Sequence, residues 1–295
     1  MYRIIAPYLL NEDSFEYIIS QIPTSLDSLN KLTIDLANLD FIDPYGMVGV
    51  LELGKYLKNQ GIELELNLPK VEVLSYILRL DFFKFVPSIF GECKLPITKV
   101  PQRIESDVLL EITPVEKSLD IHDIITKVRK RARSILKKHL NYDEEAVDNF
   151  TVALSEICQN IPEHSQSTGL VAIQKYFYEK RLKKNVVKIA VMDLGIGIKG
   201  SLDKKLASIF KEKWSDKVAI QQALFKGVSR YDEPGRGHGL TKVRQLVEKW
   251  KGKITIRSGV AKVGIIPPWE TEKIPAESLT YFPGAQISII LPAIL

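Results

Sequence analysis

Apolar residues along the chain recur with two different periods, and the switching between them predicts a mixed α/β protein. Residues 32–36 (LTIDL) read as a buried strand, and the opening MYRIIAPYLL reads as a first strand rather than a cleaved leader. A turn is expected at Asp43-Pro44-Tyr45-Gly46. Met47, Val50, Leu51, Leu53, Gly54 and Leu57 then share one helical face, which Asn59-Gln60-Gly61 closes. Residues 62–68 (IELELNL) alternate with period two, as a half-exposed strand does, and a short helix is expected over 71–80 after Pro69. This β-α-β-α order implies a sheet backed by helices on one side.

The rest of the chain reads differently. Gly91, Pro96 and Pro101 mark residues 91–112 as a linker. Two helices are expected over 121–139 and 143–161. Strands at 170–178 and 186–192 follow, joined by the charged turn 180–185 as an antiparallel hairpin. A long Gly- and Lys-containing stretch reaches Arg236, followed by a helix over 240–250 and final strands at 253–257 and 286–291. Helices gathered first, with strands paired antiparallel, predict a two-layer α/β sandwich. With 295 residues the chain is long enough for two domains, placed at 1–105 and 106–295.

Composition narrows the picture only slightly. The hydrophobic fraction of 45% and charged fraction of 26% are ordinary for a soluble globular protein. No apolar run approaches the ~18 residues of a membrane span. Two cysteines, Cys93 and Cys158, make neither a disulfide framework nor a metal site, and are expected as reduced thiols in a cytoplasmic protein. Much of the net charge of +5 sits in residues 127–138 (KVRKRARSILKK). Ile124, Val128, Ile135 and Leu136 give that segment an apolar stripe, so it reads as a solvated helix face before it reads as a nucleic-acid or lipid surface. Phe82, Phe83 and Phe85 are expected in the core.

Three patterns carry chemistry. On the helix containing LSEICQN, Phe150, Leu154, Ile157 and Ile161 mark the packed face, while Glu156 and Asn160 lie four apart on another. A carboxylate there can take a proton from an attacking hydroxyl, and an amide oxygen is a hard ligand suited to Mg²⁺. In VMDLGIGI an apolar strand ends at Asp193, followed by Gly195 and Gly197, which permit a sharp turn. An ionised acceptor at a strand end suits the exocyclic amine of adenine, whereas guanine presents a carbonyl there. In PGRGHGL the glycines Gly235, Gly237 and Gly239 precede a helix, where backbone N–H groups can reach phosphate oxygens; Arg236 and His238 sit among them and Leu240 begins the core face.

Each pattern alone is weak; their order and spacing over residues 120–293 resemble the GHKL superfamily of Bergerat-fold ATP-binding domains, which includes histidine kinases, DNA gyrase B subunits, a heat-shock chaperone and anti-sigma factor serine kinases. The resemblance implies Glu156 as general base, Asn160 as Mg²⁺ ligand and Asp193 as adenine reader. Gly195 and Gly197 would shape the adenine loop. Arg236, Gly237, His238, Gly239 and Leu240 would lie at the nucleotide, with a lid over residues 199–239. His164, after the helix, matches a histidine often found in the anti-sigma kinases. Two departures stand out: Pro162 must end or kink the helix, and Gly284-Ala285-Gln286 lacks the threonine that relatives often carry.

Residues 1–90 are similar to STAS domains of anti-sigma factor antagonists through Phe41-Ile42-Asp43-Pro44-Tyr45-Gly46 and the Val48-Gly49-Val50-Leu51 that follows. In that family a Ser or Thr after the Asp accepts phosphate; Pro44 stands there, so the usual switch is broken. The resemblances together imply a regulatory protein that uses ATP and Mg²⁺ and acts on a protein partner. It would be an anti-sigma-type serine/threonine kinase or ATPase, or a catalytically weak nucleotide-gated interaction switch. A homodimer is expected by analogy, and nucleic acid is not.

Overall fold

The computed structural model describes residues 2–27, 29–92, 107–165, 167–230, 239–271 and 276–294, with the side chains of residues 133 and 164 outside that set. The domain boundary expected near residue 105 falls among residues not described.

The N-terminal unit contains β1 (Tyr2–Ile5), β2 (Leu9–Leu10), α1 (Phe15–Ser20), β3 (Lys31–Asp35), β4 (Phe41–Ile42), α2 (Pro44–Asn59), β5 (Glu63–Asn67), α3 (Val71–Ile77) and α4 (Val86–Phe90). Strands β1, β3 and β5 form a parallel sheet in that order, and β2 pairs with β4. Residues 43–46 differ from the expected turn. Asp43 is the N-cap of α2, its side chain accepts a hydrogen bond from the Gly46 N–H at 2.9 Å, and Pro44 opens the helix. A capping carboxylate followed by proline satisfies the orphan N–H groups of a first turn, so a motif that looks like a turn starts a helix. Phe82 is fully buried and Phe83 and Phe85 pack against the same core, as their clustering suggested.

The C-terminal unit runs β6 (Val108–Val115), α5 (Ser118–Ala132), a π-helical turn (Arg133–Lys137), α6 (Lys138–Leu140), α7 (Glu144–Asn160), β7 (Gly169–Tyr178), β8 (Lys184–Asp193), α8 (Gly197–Phe210), α9 (Asp216–Lys226), α10 (Gly239–Lys249), β9 (Lys253–Gly259), β10 (Ala261–Ile265) and β11 (Phe282–Pro292). Its sheet is antiparallel throughout, in the order β10-β9-β11-β8-β7-β6. One expectation is corrected here, and two unassigned regions gain elements. Residues 108–112 belong to an edge strand, not a linker, and Pro114 is tolerated because an edge strand leaves one side unpaired. The stretch after Lys199 folds as α8 and α9, although its apolar positions are too sparse to announce helices. β10 went unforeseen because it is short and follows β9 directly.

One face of this sheet is covered by α5, α7 and α10 around a core that includes Ile124, Phe150, Leu154, Ile157, Val243 and Ile256. The other face is covered by the N-terminal unit. Leu170, Ala172, Ala190, Met192 and Phe282 share a second core with Met47, Val48, Leu51 and Phe15. Helix α2 packs on β7 and β8 and is buried along nearly its whole length, which explains why its apolar residues spread beyond one stripe. The remainder of the face is charged. β9 alternates Ile254 and Ile256 inward with Lys253, Thr255 and Arg257 outward, and each cation meets an acid of the N-terminal unit. Arg257 Nε lies 2.7 Å from Glu16, Lys253 and Lys262 both lie 3.3 Å from Glu12, and Lys188 on β8 lies 2.8 Å from Asp43.

Part of the basic segment after residue 127 is neutralised within the fold: Arg129 pairs with Asp148 and Arg131 with Glu111, each at 2.7 Å, and Lys137 pairs with Glu144. No helix among the described residues is long and apolar enough to cross a membrane.

Candidate functional site

Helix α7 starts where Asp143 accepts from the Ala146 N–H at 2.8 Å, with Glu144 and Glu145 in the first turn complementing the helix dipole. It ends at Asn160, and Pro162 falls in the π-helical turn Ile161–Ser165, as the missing N–H requires. With Phe150, Leu154 and Ile157 buried in the core, Glu156 and Asn160 face a cleft. Asp193 reaches the same cleft from the end of β8.

That cleft spans about 930 Å³ when the open solvent at its mouth is included. Glu156, Asn160, Asp193, Gly197, Gly239 and Leu240 all line it, so residues from three separate motifs meet in one cavity. Gly195 does not line it. Its N–H donates to Asp193 Oδ1 at 2.8 Å, and its own backbone lies against Ser165, where an added Cβ would stand 2.0 Å from the carbonyl oxygen. Gly195 therefore helps to fix the carboxylate. Gly195→Ala is expected to cost about 1–3 kcal/mol by overpacking this turn, read as a lower urea midpoint. Gly197 has φ +69°, a left-handed conformation that glycine adopts without strain, and it starts α8.

Asp193 is 6% exposed. Burial pushes its carboxyl up to about 7, against hydrogen bonds from the Gly195 and Ala285 backbones. A largely buried carboxylate at the edge of the cleft can accept a further hydrogen bond beside those from the two backbone N–H groups. In the segment noted for lacking a threonine, Ala285 lines the cleft, and Gln286 turns its amide toward the Asp193 and Pro283 carbonyls at 3.5 and 2.7 Å.

At the other end, Lys242 Nζ lies 2.7 Å from Glu156 Oε1. The head of α10 rests directly on this carboxylate, since a Cβ on Gly239 would stand 2.7 Å from Glu156 Oε2. Among the described residues no group of three or more His, Cys, Asp or Glu could hold a metal ion by itself. An ion here would thus depend on Asn160, water and the ligand's own oxygens, which is how Mg²⁺ is usually held beside phosphates. Arg236, Gly237, His238 and the side chain of His164 lie outside the described residues. Sequence reasoning missed Ser201, Ser229 and Arg230, which also line the cleft. They fall in the long Gly- and Lys-containing stretch expected as a lid, where no pattern points to single residues. Cys158 is buried, and burial pushes its thiol up to about 12, so it is not a nucleophile.

Residues 146–292 match the family described as histidine kinase-, DNA gyrase B-, and HSP90-like ATPases, so the chain contains a domain of that family. No curated protein matches the chain significantly.

Proposed function

We propose, from the premise that residues 146–292 form such an ATPase domain, that the cleft binds Mg-ATP and transfers its terminal phosphoryl group to a protein hydroxyl or to water. The observation that carries this is the convergence of Asp193, Asn160, Glu156 and Gly239 on one cavity. Asp193 would accept from the adenine amine at the closed end. Asn160 would hold Mg²⁺, which bridges phosphate oxygens and offsets their charge. Glu156 would take the proton of the attacking hydroxyl. Positioning and charge stabilisation would supply most of the rate, as in other phosphoryl transfers.

The partner would be a separate protein, in keeping with an anti-sigma-type serine/threonine kinase. The STAS-like reading of the N-terminal unit places its phosphate acceptor at Pro44, which has no hydroxyl and sits at the buried start of α2. The usual acceptor position of that unit would therefore take no phosphate. A nucleotide-gated switch with little turnover is the second reading, favoured by the ion pair that occupies Glu156.

Incubating the chain with labelled ATP, Mg²⁺ and candidate acceptors separates these readings. Labelled partner supports the kinase, free phosphate the ATPase, and tight binding with neither product the switch. Glu156→Gln is expected to keep ATP binding and lose turnover by about 100-fold or more; full turnover in that variant would remove Glu156 from the base role. Thermal shift with ATP, GTP and Mg²⁺ should show stabilisation by ATP alone, because a ligand raises the melting point only by binding the folded state.

A further inference from the structure

We propose that Lys242 is a phosphate-binding residue of the cleft, held in the nucleotide-free protein by the carboxylate that later acts as base. The inference rests on the ATP-dependent reading above and goes beyond it by assigning a residue that none of the three motifs contains.

Lys242 lies on the first turn of α10, three residues after Gly239 and so on the same helix face. Its ammonium pairs with Glu156 at 2.7 Å. The bare Gly239 is what lets α10 approach that closely, since any side chain there would strike Glu156. Val243, Leu246 and Val247 fix α10 in the core, so the helix stays while the four-carbon arm of Lys242 is free to swing. The Lys242 side chain is 52% exposed and that of Glu156 24%. An ion pair this open to water is weak and readily exchanged.

A bound triphosphate would compete for the same ammonium. Its terminal phosphate carries more charge than a carboxylate, and the N-terminus of α10 adds backbone N–H groups that favour an anion nearby. Lys242 would pass from Glu156 to that phosphate, and the passage does two things at once. It frees the carboxylate to accept a proton, and it places a cation where negative charge accumulates. The step balances. The acceptor hydroxyl oxygen bonds to the terminal phosphorus, its proton goes to Glu156, and the bond to the bridging oxygen breaks so that ADP leaves with the electron pair.

The test compares ATP and ADP binding by calorimetry on the full chain with Mg²⁺ present. Lys242→Met should weaken ATP about tenfold, the loss of one charge-assisted hydrogen bond, and leave ADP nearly unchanged. Unaltered ADP binding in the same sample also shows that the variant is folded. Lys242→Arg should restore much of the ATP affinity. Glu156→Gln should tighten ATP severalfold by releasing the ammonium, and this gain should vanish in the double variant with Lys242→Met. An unchanged ratio of ATP to ADP affinity in Lys242→Met overturns the proposal and leaves nucleotide binding intact. A wild-type chain that binds neither nucleotide overturns both.

Discussion

Replacing Asp193 by asparagine is expected to weaken ATP binding by about 10- to 100-fold and, in the same protein, to raise the melting temperature without ligand. The two effects have one cause. A carboxylate 6% exposed, with burial pushing it up to about 7, is a site where the fold holds a charge it would be more stable without. Asparagine removes that cost and also removes the ionised acceptor, and a charged hydrogen bond is worth about 1.5–3 kcal/mol. The pH dependence follows with a definite sign. Folded Asp193 binds its proton at a higher pH than the unfolded chain does, where the value is the ordinary 3.8. Its contribution to the unliganded fold is therefore complete below about pH 4 and lost as pH rises through about 7. Glu52 on α2 adds in the same direction: burial, with a smaller push from the charge of Asp193, outweighs the Lys55 ammonium and raises its carboxyl to about 7. ATP affinity runs the other way and should fall as pH drops below about 7. Calorimetry between pH 6 and 8 on wild type and Asp193→Asn checks this, and an affinity that is flat with pH in the wild type would remove Asp193 as the reader.

Glu12→Ala is expected to destabilise the protein by about 3–5 kcal/mol, read from urea melts. Glu12 is 5% exposed, with Lys253 and Lys262 beside it and a hydrogen bond from Thr255. Burial works against its charge, but Lys262 and Lys253 outweigh it and hold the carboxyl below its usual value. Truncation would remove the buried carboxylate that two nearly buried cations share, and breaking a buried pair costs more than the pair contributes. The stabilisation from Glu12 is present above the ordinary value of 4.5 and lost as pH falls through its lowered one. A loss below about 1 kcal/mol would mean that water enters this interface.

The residues proposed for the nucleotide that line the cleft were legible because each announces itself locally. Glu156 and Asn160 share a helix face, Asp193 ends an apolar strand, and Gly239 starts a helix. Their convergence depends on strand order, which spacing alone does not encode, and the family pattern supplied it. The helices after Lys199 were hidden because they bury few residues: α8 has only Leu202 and Leu206 in that class. The ion pair of Lys242 with Glu156 joins residues 86 positions apart, beyond the reach of periodicity. Alternation on β9 did separate Lys253, Thr255 and Arg257 from Ile254 and Ile256. The natural inference from that pattern is a water-facing side, however, and the acids that cover it lie more than 240 residues earlier.

The shared core of α2 with β7 and β8 has a consequence for how the two units can be inherited. A cut near residue 105 would leave one fragment with Leu170, Ala172, Ala190 and Met192 bare beside lysines cut off from Glu12 and Asp43, and the other with the oily flank of a helix. Both would tend to clump. Exchanging the first unit for a relative's would succeed only if the newcomer brought acids in register with Lys188, Lys253, Arg257 and Lys262, so recombination at this joint should be rare and drift on its two sides should be correlated.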